Sequence, residues 1–378
     1  MTVLIACDKF KGSLTAAEVC ASLRAGLLRA RPGLDIVAVP IADGGDGTAA
    51  AAVSAGYEEI EVTVSGPTGV PLTAMFALDR PSATAVVEMA QASGLERLPG
   101  GVLSPLAASS YGTGELVLAA LDAGARTIIL AVGGSACTDG GAGFLQALGM
   151  KLRAADGTEL LPGGGALNRL AAVDLSRLDP RLTGCHFILA SDVDNVLVGP
   201  HGAAAVYGPQ KGATAADVAH LDGGLSRFAG ILGRTPGIAP ETDLLPGAGA
   251  AGGLGYAAMT VLGAEQRPGV EVVMGLAGFE AVLKGLTASD LVITGEGSLD
   301  DQTLSGKAAA GVALAARAAG VPAIAVCGQR KLTPGQLEGI GIAQAYALTD
   351  IRTDVRECMD EAADILQSTT IRIAEDWL

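Results

Sequence analysis

The order of segments along the chain is the feature that most constrains its fold. Short apolar runs lead into glycine-rich loops, and the loops lead into amphipathic runs. Near the N-terminal end this pattern predicts strands at 2–7 and 35–40, each followed by a helix, at 15–31 and 47–55. Such alternation is typical of a parallel sheet that is covered by helices.

A comparable order returns near the C-terminal end. It predicts strands at 290–294, 322–326 and 343–347, a helix at 306–319, and a last amphipathic helix from 352 to about 374. Since parallel strands need crossover connections of this kind, we expect the two ends of the chain to share one Rossmann-like α/β sheet.

The length of the chain and the sequence between its two ends indicate a second domain. The 378 residues exceed the size at which a single core usually divides, roughly 250–300 residues. From 61 onward the sequence predicts strands and turns, and then helices among glycine-rich loops. We predict a discontinuous Rossmann-like domain from residues 1–64 and 286–378, with a second α/β (α+β) domain inserted at residues 65–285.

Charge and hydropathy exclude several classes of partner. The net charge of −15 argues against nucleic acid and anionic membranes, which require a basic face. The longest apolar stretches, at 116–132 and 308–327, are interrupted by charged residues, glycine or proline, so neither predicts a membrane span. With no basic leader and with six scattered cysteines, we expect a cytoplasmic protein whose thiols are free. The sequence does not choose between a monomer and a homodimer.

Glycine makes up about 14% of the chain, twice the usual ~7%, and it concentrates in loops that follow predicted strands. The first such loop contains Asp8, Lys9, Lys11 and Ser13 just before a predicted helix. Lysines at the start of a helix suit a phosphate or an acid substrate, because the backbone N–H groups there also favour an anion. An ordinary solvated, capped loop is the alternative.

Two further loops combine glycines with hydroxyls or carboxylates. In the loop at 43–48, Asp43 and Asp46 are separated by glycines, which allows them to converge on one Mg²⁺ or on a substrate hydroxyl, although a plain turn and N-cap would also fit. The loop at 133–143 has glycine pairs around Ser135. Successive backbone N–H groups in such a loop form an anion-binding nest.

The last two loops are rich in carboxylates. Asp192 and Asp194 follow the strand predicted at 186–190, and Lys211 lies close enough in sequence to return to that loop. Glu296 and Asp300 follow the strand predicted at 290–294, with Lys307 opening the next helix. Five loops that combine glycine with carboxylates, hydroxyls or lysines are hard to explain as helix capping alone.

Six ordered segments resemble the signature segments of the type I glycerate kinase family. They are Asp8 to Leu14, Ala42 to Thr48, Val132 to Gly141, Ser191 to Asn195, Tyr207 to Gly212 and Thr294 to Asp300. The resemblance implies transfer of a phosphoryl group from ATP to D-glycerate with Mg²⁺, in a cleft between two α/β domains. It implies 2-phosphoglycerate as the product, while 3-phosphoglycerate stays an alternative because no residue determines the position.

This resemblance and the requirements of phosphoryl transfer together suggest roles for the site residues. We hypothesise that Asp192 orients or deprotonates the glycerate hydroxyl, with Asp43 as the alternative base and Lys11 neutralising charge. The candidates for substrate binding are Asp8, Lys9, Ser13, Asp46 and Lys211. The candidates for ATP binding are Gly133, Gly134, Ser135, Gly249, Gly252, Gly253 and Lys307. The candidates for Mg²⁺ are Asp194, Glu296 and Asp300.

Two other classes of protein remain as alternatives. The segment 247–252 fits the dinucleotide pattern G-x-G-x-x-G, and Glu271 lies about 20 residues further on. An NAD-dependent oxidoreductase would also require a strand before these glycines, and the sequence there does not predict one. A non-catalytic sugar-acid binding protein would explain a cleft but not so many carboxylates.

Overall fold

The computed structural model describes residues 1–239, 241–304 and 306–378. The strands, numbered along the chain, are β1 (Thr2–Cys7), β2 (Asp35–Ala38), β3 (Glu58–Ser65), β4 (Pro71–Asp79), β5 (Thr84–Glu88), β6 (Thr127–Ala131), β7 (Lys151–Ala154), β8 (Leu170–Asp174), β9 (His186–Ala190), β10 (Glu265–Arg267), β11 (Leu291–Leu299), β12 (Ala323–Arg330) and β13 (Ala345–Ala347).

The α-helices are numbered in the same way. They are α1 (Ala16–Ala30), α2 (Thr48–Ser54), α3 (Met89–Ser93), α4 (Tyr111–Asp122), α5 (Ala142–Ala147), α6 (Ala203–Tyr207), α7 (Ala215–Leu232), α8 (Ala250–Leu262), α9 (Gly269–Leu276), α10 (Phe279–Leu283), α11 (Asp301–Leu304), α12 (Ala308–Ala318), α13 (Pro334–Gly339), α14 (Val355–Asp360) and α15 (Ala362–Trp377). Within the described residues, no helix combines the length and the apolar character that crossing a membrane requires.

The chain forms two compact units, and the first consists of residues 1–43, 50–56 and 269–378. Its sheet has five parallel strands in the order β13-β12-β11-β1-β2. The prediction that both chain ends share one parallel α/β sheet is therefore confirmed. The direction in which the sheet is built reverses between β1 and β11, so the topological switch point lies there.

Alternate residues of β1 face the two layers of helices that cover this sheet. Val3 and Ile5 belong to a buried cluster that includes residues of α1 and α15. Leu4 and Ala6 belong to a second cluster that includes residues of α12. A strand that is apolar on both faces is the pattern expected for the centre of a parallel sheet.

The second unit comprises residues 44–49 and 57–268. Its main sheet has the order β10-β9-β6-β5-β4-β3, in which β5, β6, β9 and β10 are parallel and β3, β4 and β5 are joined antiparallel. A separate antiparallel pair is formed by β7 and β8. The predicted mixture of α/β and α+β character is thus observed in this unit.

Two details differ from the predictions. Residues 58–64, which the predicted boundary assigns to the first domain, lie in β3 of the second unit, because the turn at Gly66 and Gly69 pairs this strand back onto β4. The chain changes unit at 43/44, 49/50, 56/57 and 268/269, whereas the predicted boundaries are at 64/65 and 285/286.

The single C-terminal helix predicted at 352 to about 374 is instead two helices, α14 and α15. The backbone leaves the helical conformation at Glu361, where φ is −108° and ψ is 17°. Cys358, Ala362 and Ile365 are all buried, so the hydrophobic period continues across the break. Because of this continuity, the sequence pattern predicted one helix instead of two.

A glycine-to-alanine pair tests the packing of α1 against α15. A Cβ atom at Gly26 would lie 2.4 Å from Oγ1 of Thr370 and 2.9 Å from the carbonyl oxygen of Gln367. We expect Gly26→Ala to lower the free energy of unfolding by about 1–3 kcal/mol, because the close contact outweighs the higher helix propensity of alanine. Denaturant unfolding measures the change.

Gly275 in α9 provides the matched control, since a Cβ there meets nothing within 4 Å. Gly275→Ala should leave the free energy of unfolding unchanged or raise it by up to about 1 kcal/mol. Equal stability of the two variants would show that Gly26 is not needed for close approach of the helices.

Candidate active site

A pocket of about 370 Å³ opens at the carboxyl edge of the five-stranded sheet in the first unit. The loop after β1, the carboxyl-terminal parts of β11 and β12 and the segment after β13 line it, together with residues of α14 and α15. Ligands of doubly wound sheets bind outside the carboxyl ends of the strands, at the switch point. This pocket has that position.

The backbone pairing of β1 with β11 places two predicted site residues side by side. Cys7 is the register partner of Gly295, and the backbone N–H of Asp8 donates to the Gly295 carbonyl oxygen at 2.8 Å. Asp8 and Glu296 therefore leave neighbouring strands at the same level. Both line the pocket, and both are more than nine-tenths buried.

Two carboxyl groups of this pocket have raised pKa values, mainly because they are buried. Burial, together with the charges of Asp43 and Glu296, raises the pKa of Asp8 to about 7. Burial also raises the pKa of Glu296 to about 7, although Oγ1 of Thr303 donates to its Oε1 at 2.7 Å. Crowded, buried carboxylates favour a bound cation, which would compensate their charge.

Cationic side chains line the same pocket. They are Lys9, Lys11 and Lys307, and Nζ of Lys307 donates to Oε1 of Gln302 at 2.6 Å. Asp300 also lines the pocket and accepts a hydrogen bond from the Ser298 hydroxyl at 3.1 Å. Lysines and carboxylates therefore line one pocket.

Local hydrogen bonds hold the loop between β1 and α1 in shape. The backbone N–H groups of Ser13 and Leu14 both donate to the Phe10 carbonyl oxygen. Thr15 caps α1 through a reciprocal capping box with Glu18. The hydroxyl of Ser13, a predicted substrate ligand, lines the pocket and donates to the Met359 carbonyl oxygen at 2.6 Å.

The structure thus brings eight of the predicted residues to one pocket. They are Asp8, Lys9, Lys11, Ser13, Asp43, Glu296, Asp300 and Lys307. The other predicted residues belong to the second unit, and they are Asp46, Gly133, Gly134, Ser135, Asp192, Asp194, Lys211, Gly249, Gly252 and Gly253.

In the second unit, the loops after β5 and β6 meet the segment 44–49. Glu88, at the end of β5, accepts hydrogen bonds from the backbone N–H groups of Gly47 at 3.0 Å and Ala49 at 3.1 Å. A Cβ at Gly133 would lie 2.7 Å from Cα of Gly45. The close approach of two backbones therefore accounts for the glycine at 133.

Lys211 and Ser135, predicted in separate motifs, are in direct contact. Lys211 is 2% exposed, and its Nζ donates to Oγ of Ser135 at 2.9 Å and to the carbonyl oxygen of Cys137. Burial lowers the pKa of the lysine ammonium. The buried lysine fixes the conformation of the 135–137 loop, a positioning role that the sequence did not predict.

The glycines from 249 to 253 are explained by packing within the second unit. The Gly249 N–H already donates to the Asn195 carbonyl oxygen at 2.8 Å. A Cβ at Gly252, where φ is +71°, would lie 2.1 Å from the Cys137 carbonyl oxygen. The segment before these glycines is the 3₁₀ turn Thr242–Leu244 rather than a strand, so the context of a dinucleotide fingerprint is missing.

Asp192 and Asp194 follow β9 in the second unit. Asp192 is half-buried and Asp194 is exposed. Asp194 is a predicted metal ligand, and the other two predicted metal ligands, Glu296 and Asp300, lie in the first unit. Over residues 1–239, 241–304 and 306–378, no three or more His, Cys, Asp or Glu side chains are grouped to hold a metal. Mg²⁺ bound with a nucleotide usually takes only one or two carboxylates, along with phosphate oxygens and water.

One wall of the pocket was missed by the sequence analysis. It is apolar and includes Leu348, Val355 and Met359. Leu348 follows β13, whose carboxyl end lies at the same sheet edge as those of β1 and β11. The strand pattern alone would have indicated this loop, although its residues have no catalytic chemistry to draw attention to them.

Comparisons with known proteins agree with this fold. The profile of the glycerate kinase family matches residues 3–378. Glycerate kinase of Bacillus subtilis (strain 168) is 43% identical over 376 residues, which cover 99% of this chain and 97% of that protein. Glycerate 2-kinase of Escherichia coli (strain K12) is 43% identical over 364 residues, covering 96% and 93%.

A solved structure shows the same architecture. The crystal structure of a candidate glycerate kinase 2 from Salmonella typhimurium LT2 superposes with a TM-score of 0.84 at 40% identity, covering 100% of this chain and 98% of that one. The chain is therefore an enzyme, a phosphotransferase that acts on an alcohol group. It belongs to the glycerate kinase family. Membership decides against the oxidoreductase and the non-catalytic binding protein considered above.

The raised pKa of Asp8 predicts a pH-dependent gain in stability for Asp8→Asn. The folded protein holds this carboxyl protonated up to about pH 7, whereas the unfolded chain ionises it near pH 4. Asp8 therefore begins to destabilise the fold above about pH 4, and the full effect, at most about 4 kcal/mol, is present above about pH 7.

The neutral amide of the Asp8→Asn variant lacks this effect, so the melting temperature should rise more at about pH 8 than at about pH 5. Thermal unfolding at both pH values measures the difference. Asp360 is exposed, and Asp360→Asn is the control for the general loss of one negative charge. A gain that is the same at both pH values would contradict a raised pKa.

Proposed function

We propose that the enzyme transfers the γ-phosphoryl group of MgATP to D-glycerate, producing 2-phosphoglycerate and ADP. The observation that carries the proposal is the pocket at the switch point, where lysines and buried carboxylates meet. The name of the Escherichia coli relative, glycerate 2-kinase, supports the position of the new phosphate. Formation of 3-phosphoglycerate is the alternative.

The pocket fits a magnesium ion bound to phosphate groups. Glu296 and Asp300 are the proposed metal-facing carboxylates in this unit, and Asp194 is the candidate from the second unit. The pKa values of Asp8 and Glu296 are raised chiefly by burial, and the charges of neighbouring carboxylates raise them further. A bound Mg²⁺ would supply positive charge and neutralise the phosphate oxygens during transfer.

The lysines supply the remaining positive charge. We propose that Lys9, Lys11 and Lys307 contact phosphate oxygens or the glycerate carboxylate from the pocket wall. In a chain with a net charge of −15, cations collected at one site raise the local concentration of anionic substrates. Lys211 is buried and its Nζ already donates to Ser135 and Cys137, so we propose that it acts on the substrate through the loop around Ser135 rather than by the direct contact predicted from the sequence.

A carboxylate is required to accept the proton of the attacking hydroxyl. Asp192 remains our first candidate because it lies in the loop at the carboxyl end of β9 and is only half-buried. Asp43 is the second candidate, and it lines the pocket beside Asp8. In phosphoryl transfer such a group orients the hydroxyl as well as accepting its proton.

Asparagine variants distinguish these two candidates. We expect Asp192→Asn to lower kcat by more than about 100-fold, because the amide accepts no proton, while the KM values change little. Steady-state kinetics of Asp192→Asn and Asp43→Asn give the comparison, with the exposed Asp156→Asn as control. A near-normal kcat for Asp192→Asn with a large loss for Asp43→Asn would reassign the base to Asp43.

A coupled assay tests the proposed reaction itself. Purified enzyme with ATP, Mg²⁺ and D-glycerate should release ADP, and ³¹P NMR should show phosphate on the secondary hydroxyl. Chelation of Mg²⁺ should abolish turnover, because the crowded phosphate and carboxylate charges would then be uncompensated. Phosphate on the primary hydroxyl would contradict 2-phosphoglycerate as the product. Turnover without ATP would contradict ATP as the phosphoryl donor.

The proposal includes a cytoplasmic location. All six cysteines are free, and five of them are buried. Free thiols fit a reducing compartment, in which disulfides do not persist. We propose that the enzyme works there on its small-molecule substrates as a monomer or a homodimer.

A further inference from the structure

We infer that the apolar half of the pocket in the first unit binds the nucleoside of the phosphoryl donor, an inference that rests on the proposed use of ATP. Two chemically different groups of side chains line the pocket. One group consists of Lys9, Lys11 and the carboxylates at the carboxyl ends of β1 and β11, and the other, the apolar wall, consists of Leu348, Val355 and Met359. A nucleoside triphosphate has the same division, with an apolar base at one end and an anionic chain at the other.

The size of the pocket favours this ligand over the acid substrate. Its volume of about 370 Å³ lies within the range of roughly 300–1,000 Å³ that is usual for ligands as large as drugs and cofactors. Glycerate is a three-carbon acid whose groups are nearly all polar. It would leave the apolar wall uncovered, whereas the face of a base would cover it.

The apolar wall exposes side chains that a soluble surface normally buries. Val355 and Met359 lie one turn apart on α14, and they are 41% and 39% exposed. Beneath them the wall is closed by Leu348, Cys358 and Ala362, which are all buried. Large apolar side chains that line a concave surface mark a ligand site more often than an isolated exposed residue does.

The same loop that carries the lysines also holds this wall. The Ser13 hydroxyl donates to the Met359 carbonyl oxygen at 2.6 Å. A Cβ at Gly12, where φ is +78°, would lie 3.0 Å from Cε of Met359. Because the loop from Lys9 to Ser13 packs on α14, the base and phosphate subsites keep a fixed spacing.

Polar groups of the pocket lining are available to contact the edge of a base or the ribose. Gln329 lies near the carboxyl end of β12 and Thr349 follows β13, and both line the pocket. An amide and a hydroxyl offer donors as well as acceptors, which nucleoside recognition requires. The backbone N–H groups of the glycine loops in the second unit are then not needed to hold the base.

Equilibrium binding to alanine variants tests the inference. Isothermal titration with MgATP and with magnesium tripolyphosphate separates the base from the phosphates. For Val355→Ala and Met359→Ala we expect the Kd of ATP to rise at least about fivefold, because apolar contact with the base is lost. The Kd of tripolyphosphate should change by less than about twofold, since its charged chain does not reach that wall.

Two controls complete the design. Leu314→Ala removes an apolar side chain of similar exposure, 38%, on α12 outside the pocket, and it should change neither Kd. Lys11→Met should weaken ATP and tripolyphosphate alike, because it removes a charge facing the phosphates. Circular dichroism of each variant verifies folding, and because the substituted apolar side chains are partly exposed, we expect the folded state to survive.

The outcomes separate this inference from the proposed function. Unchanged ATP binding in both α14 variants, equal weakening of tripolyphosphate, or a rise confined to the KM of glycerate would each overturn the inference. If ATP binds as expected but glycerate is not phosphorylated, the nucleoside site stands and the proposed reaction fails. If the wild-type enzyme binds no ATP but phosphorylates glycerate from tripolyphosphate, the nucleoside site is overturned while the kinase remains.

Discussion

The pairing of β1 with β11 is the interaction on which the rest of the structure depends. These strands are separated by most of the chain, yet five register pairs join them from Val3 with Leu291 to Cys7 with Gly295. The pairing closes the five-stranded sheet from both chain ends and creates its switch point. It also sets Asp8 next to Glu296, so the same hydrogen-bond ladder that completes the sheet assembles the carboxylates of the site.

Placing acids in this way works against the stability of the empty protein. Buried carboxyl groups with raised pKa values destabilise the folded state at neutral pH, because each charge lacks sufficient solvation. In the proposed reaction, a cation that arrives with its phosphate ligand would offset this unfavourable energy. Burial of the carboxylates would then underlie both the lower stability of the empty site and its affinity for a charged substrate.

Much of the fold could be predicted from local sequence, because β1 and β9 are continuous apolar runs ended by polar loops, and parallel strands place such loops at one edge. Features that depend on tertiary contacts could not be predicted in this way. Distant residues determine the side on which β3 pairs, the break at Glu361, the burial of Lys211 and the packing around Gly252. The apolar wall of α14 escaped prediction because Val355 and Met359 look like ordinary helix residues until the pocket is seen.

The path of the chain between the compact units has a consequence for synthesis. The chain changes unit after residues 43, 49, 56 and 268, and the strands β11 to β13 come last. On the ribosome, the second unit is therefore complete while β1, an apolar strand meant for the centre of a sheet, still lacks β11. That nascent strand edge stays open to pairing with other chains until the C-terminal third emerges, so the first unit is the part of the protein most exposed to misassembly during translation.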